Sequence, residues 1–202
     1  MSARVAVLIS GRGSNLQALI NACATPSFPA KIALVISNVS GAEGLRKAER
    51  ANIPTQTLPH KNYDGRESFD AAIDAALKDA NIDMICLAGF MRIFSDGFAR
   101  KWQGKIINIH PSLLPAFKGM HVHRQALKAG VRISGCTVHY VVPELDSGPI
   151  IAQAAVPVEH DDTEETLAAR ILQAEHRLYP AALKLLAESG VKLENGKAVF
   201  AR

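Results

Sequence analysis

The sequence predicts an α/β fold, an open and mostly parallel sheet with flanking helices, and three observations carry that prediction. Val5-Ala6-Val7-Leu8-Ile9-Ser10 is a short, β-branched-rich apolar run that stops at a glycine, as a strand buried on both faces of a parallel sheet does. Between residues 67 and 80, Phe69, Ile73, Ala76 and Leu77 recur at helical spacing. Segments of these two kinds alternate as βαβαβαβ, which right-handed crossovers turn into a Rossmann-like layout.

In chain order, the strand over 5–10 leads to a helix that Ser14 or Asn15 can cap, running to about Ala22. A strand over 32–37, a turn at 38–41 and a helix around 43–51 follow. A short strand near 55–58, the helix over 67–80 and a buried strand over 83–88 complete the first half. Past residue 102 the rhythm changes and the strands become mixed. Ile106 to His110 reads as a strand, and Pro111-Ser112-Leu113-Leu114-Pro115 cannot continue as sheet interior. Long strands are predicted over 131–142 and 150–156, then a long helix from Asp162, where Asp162 and Glu165 have capping-box spacing, to about Ser189. Asn195-Gly196 between Val191 and Phe200 signals a hairpin. Without repeats or long linkers, residues 1–202 are predicted to form one domain with two lobes, about 1–102 and 103–202, and a site in the cleft between them.

With 48% hydrophobic residues among 202, the chain can build a sizeable core. A net charge of +4 suits a phosphorylated ligand, and no Lys/Arg block interleaved with aromatics points to nucleic acid. Cys23, Cys86 and Cys136 lie far apart, with Cys86 in a core-like run. Met-Ser-Ala-Arg runs directly into a strand, and the apolar runs fall short of the roughly 20 residues that a bilayer needs. The expectation is a cytoplasmic protein without a signal peptide or membrane contact.

Ser10-Gly11-Arg12-Gly13-Ser14-Asn15 lies between a strand and a helix, where glycines admit a ligand and free helix amides attract an anion. Leu16 stands where a dinucleotide fingerprint needs glycine, and the Walker pattern is absent, so a single phosphate fits better than a pyrophosphate. The alternative is a plain tight turn. In Asn108-Ile109-His110-Pro111, strand alternation puts Asn108 and His110 on one face and Ile107 and Ile109 on the other. An amide can bind a developing oxyanion and an imidazole can move a proton; the alternative is a hydrogen-bonded strand end. Asp146, in an acidic turn, gains a role only by meeting His110, whose imidazolium it would favour.

Glu175 falls beside the apolar stripe Leu167, Ile171 and Leu178, and needs a partner, either a ligand or Arg170 or Arg177. Gly89-Phe90-Met91-Arg92-Ile93-Phe94 can line a flat apolar pocket, or form core plus a loop arginine. His121 and His123 have no evident third ligand, which argues against a metal site, and His139 reads as structural.

S-G-R-G-S-N-L-Q-A-L, L-A-G-F-M-R-I-F, I-N-I-H-P-S-L-L-P, E-L-D-S-G-P-I-I and Q-A-E-H-R-L-Y-P stand in this order over almost the whole chain. Together with the H-x-H-R-Q-A-L segment, they resemble the phosphoribosylglycinamide formyltransferases of purine biosynthesis. The resemblance implies the formyltransferase fold and transfer of a formyl group from 10-formyltetrahydrofolate to the amine of glycinamide ribonucleotide. By matching positions, Asn108 and protonated His110 would stabilise the oxyanion intermediate and Asp146 would hold His110 charged. Gly13, Ser14 and Asn15 would take the phosphate, and Gln173 and Glu175 the ribose side of the substrate. The reduced folate would lie against Arg66, Met91, Arg92, Ile93, Phe94 and Asn108, and against Val142, Pro143, Glu144, Leu145 and Asp146. No metal is implied, and the resemblance leaves monomer and homodimer open.

Four other functions compete. Formyltetrahydrofolate hydrolases resemble this chain in the same triad but carry His-His-Ser where His110-Pro111-Ser112 stands, and add an N-terminal domain. Methionyl-tRNA formyltransferases add a C-terminal domain that 202 residues do not easily hold. The opening βα unit also admits a nucleotide-binding oxidoreductase or a non-catalytic phosphate-binding module.

Overall fold

Along Ala3–Ile9 (β1), every residue from Val5 to Ile9 is fully buried, which requires cover on both faces of the strand. The computed structural model, which describes residues 2–201, supplies that cover. Val5, Val7 and Ile9 pack with Leu16 and Leu19 of α1 (Ser14–Cys23) and with Leu167, Ile171 and Leu183 of α6 (Glu164–Ala187). Ala6 and Leu8 pack on the other face with Phe69, Ile73 and Leu77 of α3 (Arg66–Asp79) and Phe98 of α4 (Asp96–Lys101). The period of two along the strand thus sorts one run of residues into two cores.

The remaining elements are β2 (Ala30–Ser37), α2 (Glu43–Arg50), β3 (Thr55–Thr57), β4 (Met84–Leu87), β5 (Ile106–His110), α5 (Val122–Ala129), β6 (Ile133–Tyr140) and β7 (Ile150–Pro157). The seven strands form one sheet in the order β3-β2-β1-β4-β5-β6-β7. Pairing is parallel from β3 to β5 and antiparallel from β5 to β7. The sheet is continuous across both halves of the chain. Strand order reverses between β1 and β4, so the carboxyl ends of these strands open at a topological switch point, where α/β sheets bind ligands. Tyr179 of α6 is fully buried, and its hydroxyl is shared between the carbonyls of Leu87 at 2.9 Å and Ile107 at 3.2 Å. This pins the long helix under β4 and β5, close to that opening.

The predicted strands and long helices are present, with ends shifted by no more than two residues. Two α-helices, and a single 3-10 turn at His60–Asn62, were not anticipated. Six-residue α4 is too short to show a period, and its start is set by Ser95, whose hydroxyl accepts from the Phe98 amide at 3.3 Å. Eight-residue α5 buries only Val122 and Ala126 and is bounded by left-handed residues, His121 and Gly130. Two capping assignments also change. Neither Ser14 nor Asn15 caps α1; Gly13 does, without a side-chain hydrogen bond. The cap of α6 is the Thr163–Thr166 pair rather than Asp162 and Glu165, because the Asp162 carboxylate is taken by Arg170 at 2.6 Å. The Asn195-Gly196 signal is a hairpin between β8 (Val191–Glu194) and β9 (Lys197–Phe200). Both turn residues have positive φ, 49° and 73°, as a type I′ turn needs. Cys86 is a fully buried core residue, and all three cysteines are free.

Candidate active site

Between β1 and α1 the chain turns through Gly13, whose φ of 67° favours glycine. A Cβ there would also stand 2.7 Å from the Gly44 Cα, so α2 closes over the turn. No side chain caps α1, and the first-turn amides, which have no carbonyl partner within the helix, are left for an anion. Asn15 turns inward instead. It is 9% exposed, its Nδ2 donates to Glu175 Oε2 at 2.8 Å, and its Oδ1 has no partner among the described residues. Glu175 is buried on α6; burial raises its carboxyl above the ordinary 4.5, and the Asn15 hydrogen bond opposes that rise.

Neither arginine foreseen as a partner of Glu175 serves it: Arg170 holds Asp162, and Arg177 is exposed. Gln173 lies two residues earlier on α6, about 200° around the helix, and is exposed; the fold does not bring it to this group. Ser14 opens on a cleft of about 420 Å³ shared with Gln17, Asn21, Lys47 and His176.

The second group sits where the sheet changes from parallel to antiparallel. Ile107 and Ile109 of β5 belong to the α1/α6 core and Ile106 to the opposite one, so Asn108 and His110 share the face of Ile106. His110 is 5% exposed, and both its ring nitrogens face oxygens. Nδ1 is 3.4 Å from Asp146 Oδ2, and Nε2 donates to the Phe117 carbonyl at 2.9 Å. Asp146 belongs to the turn between β6 and β7, which carries it beside β5. It adopts a φ of 47°, and Oδ2 also accepts from the Gly119 amide at 2.9 Å. Gly148 fixes this turn, because a Cβ there would fall 1.7 Å from the Tyr140 carbonyl oxygen. A cleft of about 330 Å³ borders Asp146, lined also by Leu114, Lys118 and Pro149.

Two members of this group escaped the sequence. His139, read as structural, is 2% exposed and lies opposite Asn108 across β5 and β6. Its Nε2 is 3.2 Å from Asn108 Nδ2 and 3.8 Å from Asp146 Oδ1, and its Nδ1 is 2.9 Å from the Tyr140 carbonyl. Burial lowers its pKa below the ordinary 6.5, against the pull of the Tyr140 carbonyl and Asp146. The signal available was its period-two relation to Thr137, which pairs with His110; using it required knowing that β6 neighbours β5. The other is the Phe117 carbonyl. Its loop is tied down by Thr137, which accepts from the Leu114 amide at 3.0 Å and donates to the Ser112 carbonyl at 2.7 Å.

The residues expected around a flat ligand divide. Met91 and Ile93 are 70% and 51% exposed and Arg92 is exposed, whereas Phe94 is 5% exposed and stacked between Phe90 and Phe98. The Phe94 side chain is therefore core, not lining. Arg66 starts α3, whose Phe69 stacks on Phe90, so it lies beside the 89–94 segment. Val141 packs in the same apolar cluster as Phe90, which sets the segment Val142, Pro143, Glu144 and Leu145 against that wall; Leu145 is 51% exposed. Ser10 ties this wall to the α1 turn, accepting from the Met91 amide at 2.8 Å and donating to Asn38 at 2.6 Å. His121 and His123 gather no third ligand, and no group of three His, Cys, Asp or Glu side chains placed to hold a metal occurs among the described residues. No helix among these residues is long and apolar enough to cross a membrane.

Residues 3–183 match the family model described as formyl transferase. The chain belongs to the formyl transferase family. This family member is 43% identical over 194 residues to phosphoribosylglycinamide formyltransferase of Escherichia coli K12, covering 96% of the chain and 92% of that relative. It is 57% identical over 195 residues to the trifunctional purine biosynthetic protein adenosine-3 of Gallus gallus, covering 96% of the chain but only 19% of that relative. The chain thus spans about a fifth of the trifunctional relatives it matches. The crystal structure of glycinamide ribonucleotide transformylase 1 from Symbiobacterium toebii superposes with a TM-score of 0.96 at 44% identity, over 100% of this chain and 95% of that one. Its α/β formyl transferase fold, with mixed strands toward the C-terminus, is the one predicted.

Proposed function

We propose that this formyl transferase moves the formyl group of 10-formyltetrahydrofolate to the amine of 5′-phosphoribosylglycinamide. The observation that carries the proposal is the convergence of Asn108, His110 and Asp146 at the end of β5, with His110 Nδ1 3.4 Å from Asp146 Oδ2. The phosphate lies on the first-turn amides at Gly13, Ser14 and Asn15, and Glu175 takes the ribose hydroxyls. The folate lies along Met91 to Ile93 and the 142–146 segment, with Arg66 at its edge. The amine attacks the formyl carbon, a C–N bond forms and the carbonyl electron pair moves to oxygen. Asn108 Nδ2 and the His110 ring N–H stabilise that oxyanion. On collapse the bond from carbon to folate N10 breaks, and N10 takes its electron pair and a proton from His110. The proton lost by the attacking amine passes through water beside Asp146 to the His110 ring, replacing the one given to N10. Rate comes from proximity and fixed donors rather than from an enzyme nucleophile.

The relatives support this acceptor by their names, as does His110-Pro111-Ser112 in place of His-His-Ser. The test follows loss of the formyl donor with and without glycinamide ribonucleotide. Loss that requires the ribonucleotide and yields its N-formyl product is expected; loss at the same rate without it would make the chain a hydrolase.

A further inference from the structure

We propose that His139 is a positioning residue for the reaction, an acceptor that holds the Asn108 carboxamide with its N–H groups toward the reacting carbonyl. The inference rests on the oxyanion role given to Asn108 above. The Tyr140 carbonyl can only accept a hydrogen bond, so at 2.9 Å it fixes the proton of the neutral His139 ring on Nδ1. The lone pair is then on Nε2, and the group 3.2 Å away is Asn108 Nδ2. Asp146 Oδ1 stands 3.8 Å from the same nitrogen, beyond hydrogen-bond reach, while Oδ2 of that carboxylate faces His110 and accepts from the Gly119 amide.

A side-chain amide has two faces of nearly equal shape, and only its surroundings decide which end points where. With an acceptor at Nε2, one Asn108 N–H is spent on His139 and the second remains for the oxyanion. Without that acceptor the amide is free to turn its Oδ1 inward, which replaces attraction by repulsion at the developing charge. The ring is 2% exposed, so in the parent chain bulk water does not share the acceptor's task. A chain of fixed groups results: the Tyr140 carbonyl sets the His139 tautomer, the tautomer sets the amide, and the amide meets the substrate.

Two substitutions separate positioning from packing. His139→Asn keeps an N–H near the Nδ1 position and loses the Nε2 acceptor; His139→Gln places an acceptor oxygen near the Nε2 position. We expect His139→Asn to lower kcat about tenfold or more, within the ~10²–10³ that one oxyanion donor contributes, with KM for glycinamide ribonucleotide unchanged. His139→Gln should recover most of the loss, and adding His139→Asn to Asn108→Ala should cost nothing further. Equal losses in both single variants, or additive losses in the double variant, overturn the proposal. A ¹⁵N spectrum of the ring reads the tautomer independently of turnover. Protonation on Nε2 at neutral pH would sink the inference, whereas an Nδ1–H ring in a chain that transfers no formyl group would instead count against the function proposed above.

Discussion

The Nε2 of His110 donates to the Phe117 carbonyl at 2.9 Å, while its Nδ1 faces Asp146. The N–H proposed to serve the formyl oxygen is therefore held by the chain's own backbone, and the donor must exchange for Phe117. That exchange trades one hydrogen bond for another, a net change of only about 1 kcal/mol. His110→Ala removes the proposed proton donor and one proposed oxyanion contact, so we expect kcat to fall by about 10²–10⁴. The core faces of β5 are untouched, so the circular dichroism spectrum should stay native. A variant that turns over at more than a tenth of the parent rate would remove His110 from the chemistry.

Gly148 and Tyr140 define the turn that carries Asp146. A Cβ at 148 would fall 1.7 Å from the Tyr140 carbonyl oxygen, and that atom is backbone in a paired strand. Gly148→Ala must therefore displace the turn, and Asp146 with it. The expected result is destabilisation by more than about 2 kcal/mol in denaturant melts. Because a shift of about 1 Å can lower rate about 10²-fold, a similar loss in kcat should accompany it. The α1 site lies on other strands, so affinity for the ribonucleotide should change little; parallel losses of both would mean general unfolding.

Strand β5 shows why the fold and half of the site were legible in the sequence. Its alternation is a local property, so the shared face of Asn108 and His110 followed from five residues. His139 and the Phe117 carbonyl enter through pairing between β5 and β6 and through a loop path, which no period encodes. The partner of Glu175 went unread for the same reason: Asn15 lies 160 residues away, and the nearby arginines were the visible candidates. Phe94 looked like pocket lining because apolar residues in a loop carry no sign of which way they face.

Asp162 gives a stability test with a definite sign. Arg170 grips both carboxylate oxygens, at 2.6 and 2.9 Å, while Thr166 and the Glu159 amide donate to them. Arg170 chiefly holds this carboxyl well below the ordinary 3.8. A depressed folded value means that the stabilisation is present above the unfolded value, near 3.8, and is lost as pH falls through the folded one. Asp162→Asn should lower the melting temperature by several degrees at pH 7. Its deficit should shrink once the pH drops below about 3, and a deficit of constant size across that range would contradict the assignment.

Glu175 has the opposite sign, and that sets stability against function. Burial raises its carboxyl above 4.5, so the folded state favours the protonated form. Its contribution is full below the unfolded value and is lost as pH rises through the folded one. Above that folded value the chain carries a buried carboxylate whose only hydrogen bond within the described residues is from Asn15. Glu175→Gln keeps an oxygen to accept from Asn15 and removes the charge, so above the folded value of Glu175 the melting temperature should rise, by roughly 2–4 °C for each kcal/mol relieved. The gain should vanish near pH 4, where the parent is itself protonated. In exchange, KM for glycinamide ribonucleotide should rise about tenfold, because a charged acceptor for the ribose hydroxyls contributes about 1.5–3 kcal/mol per bond and a neutral one less. A variant that is more stable yet binds the ribonucleotide as tightly as the parent would show that the buried charge serves neither folding nor this substrate.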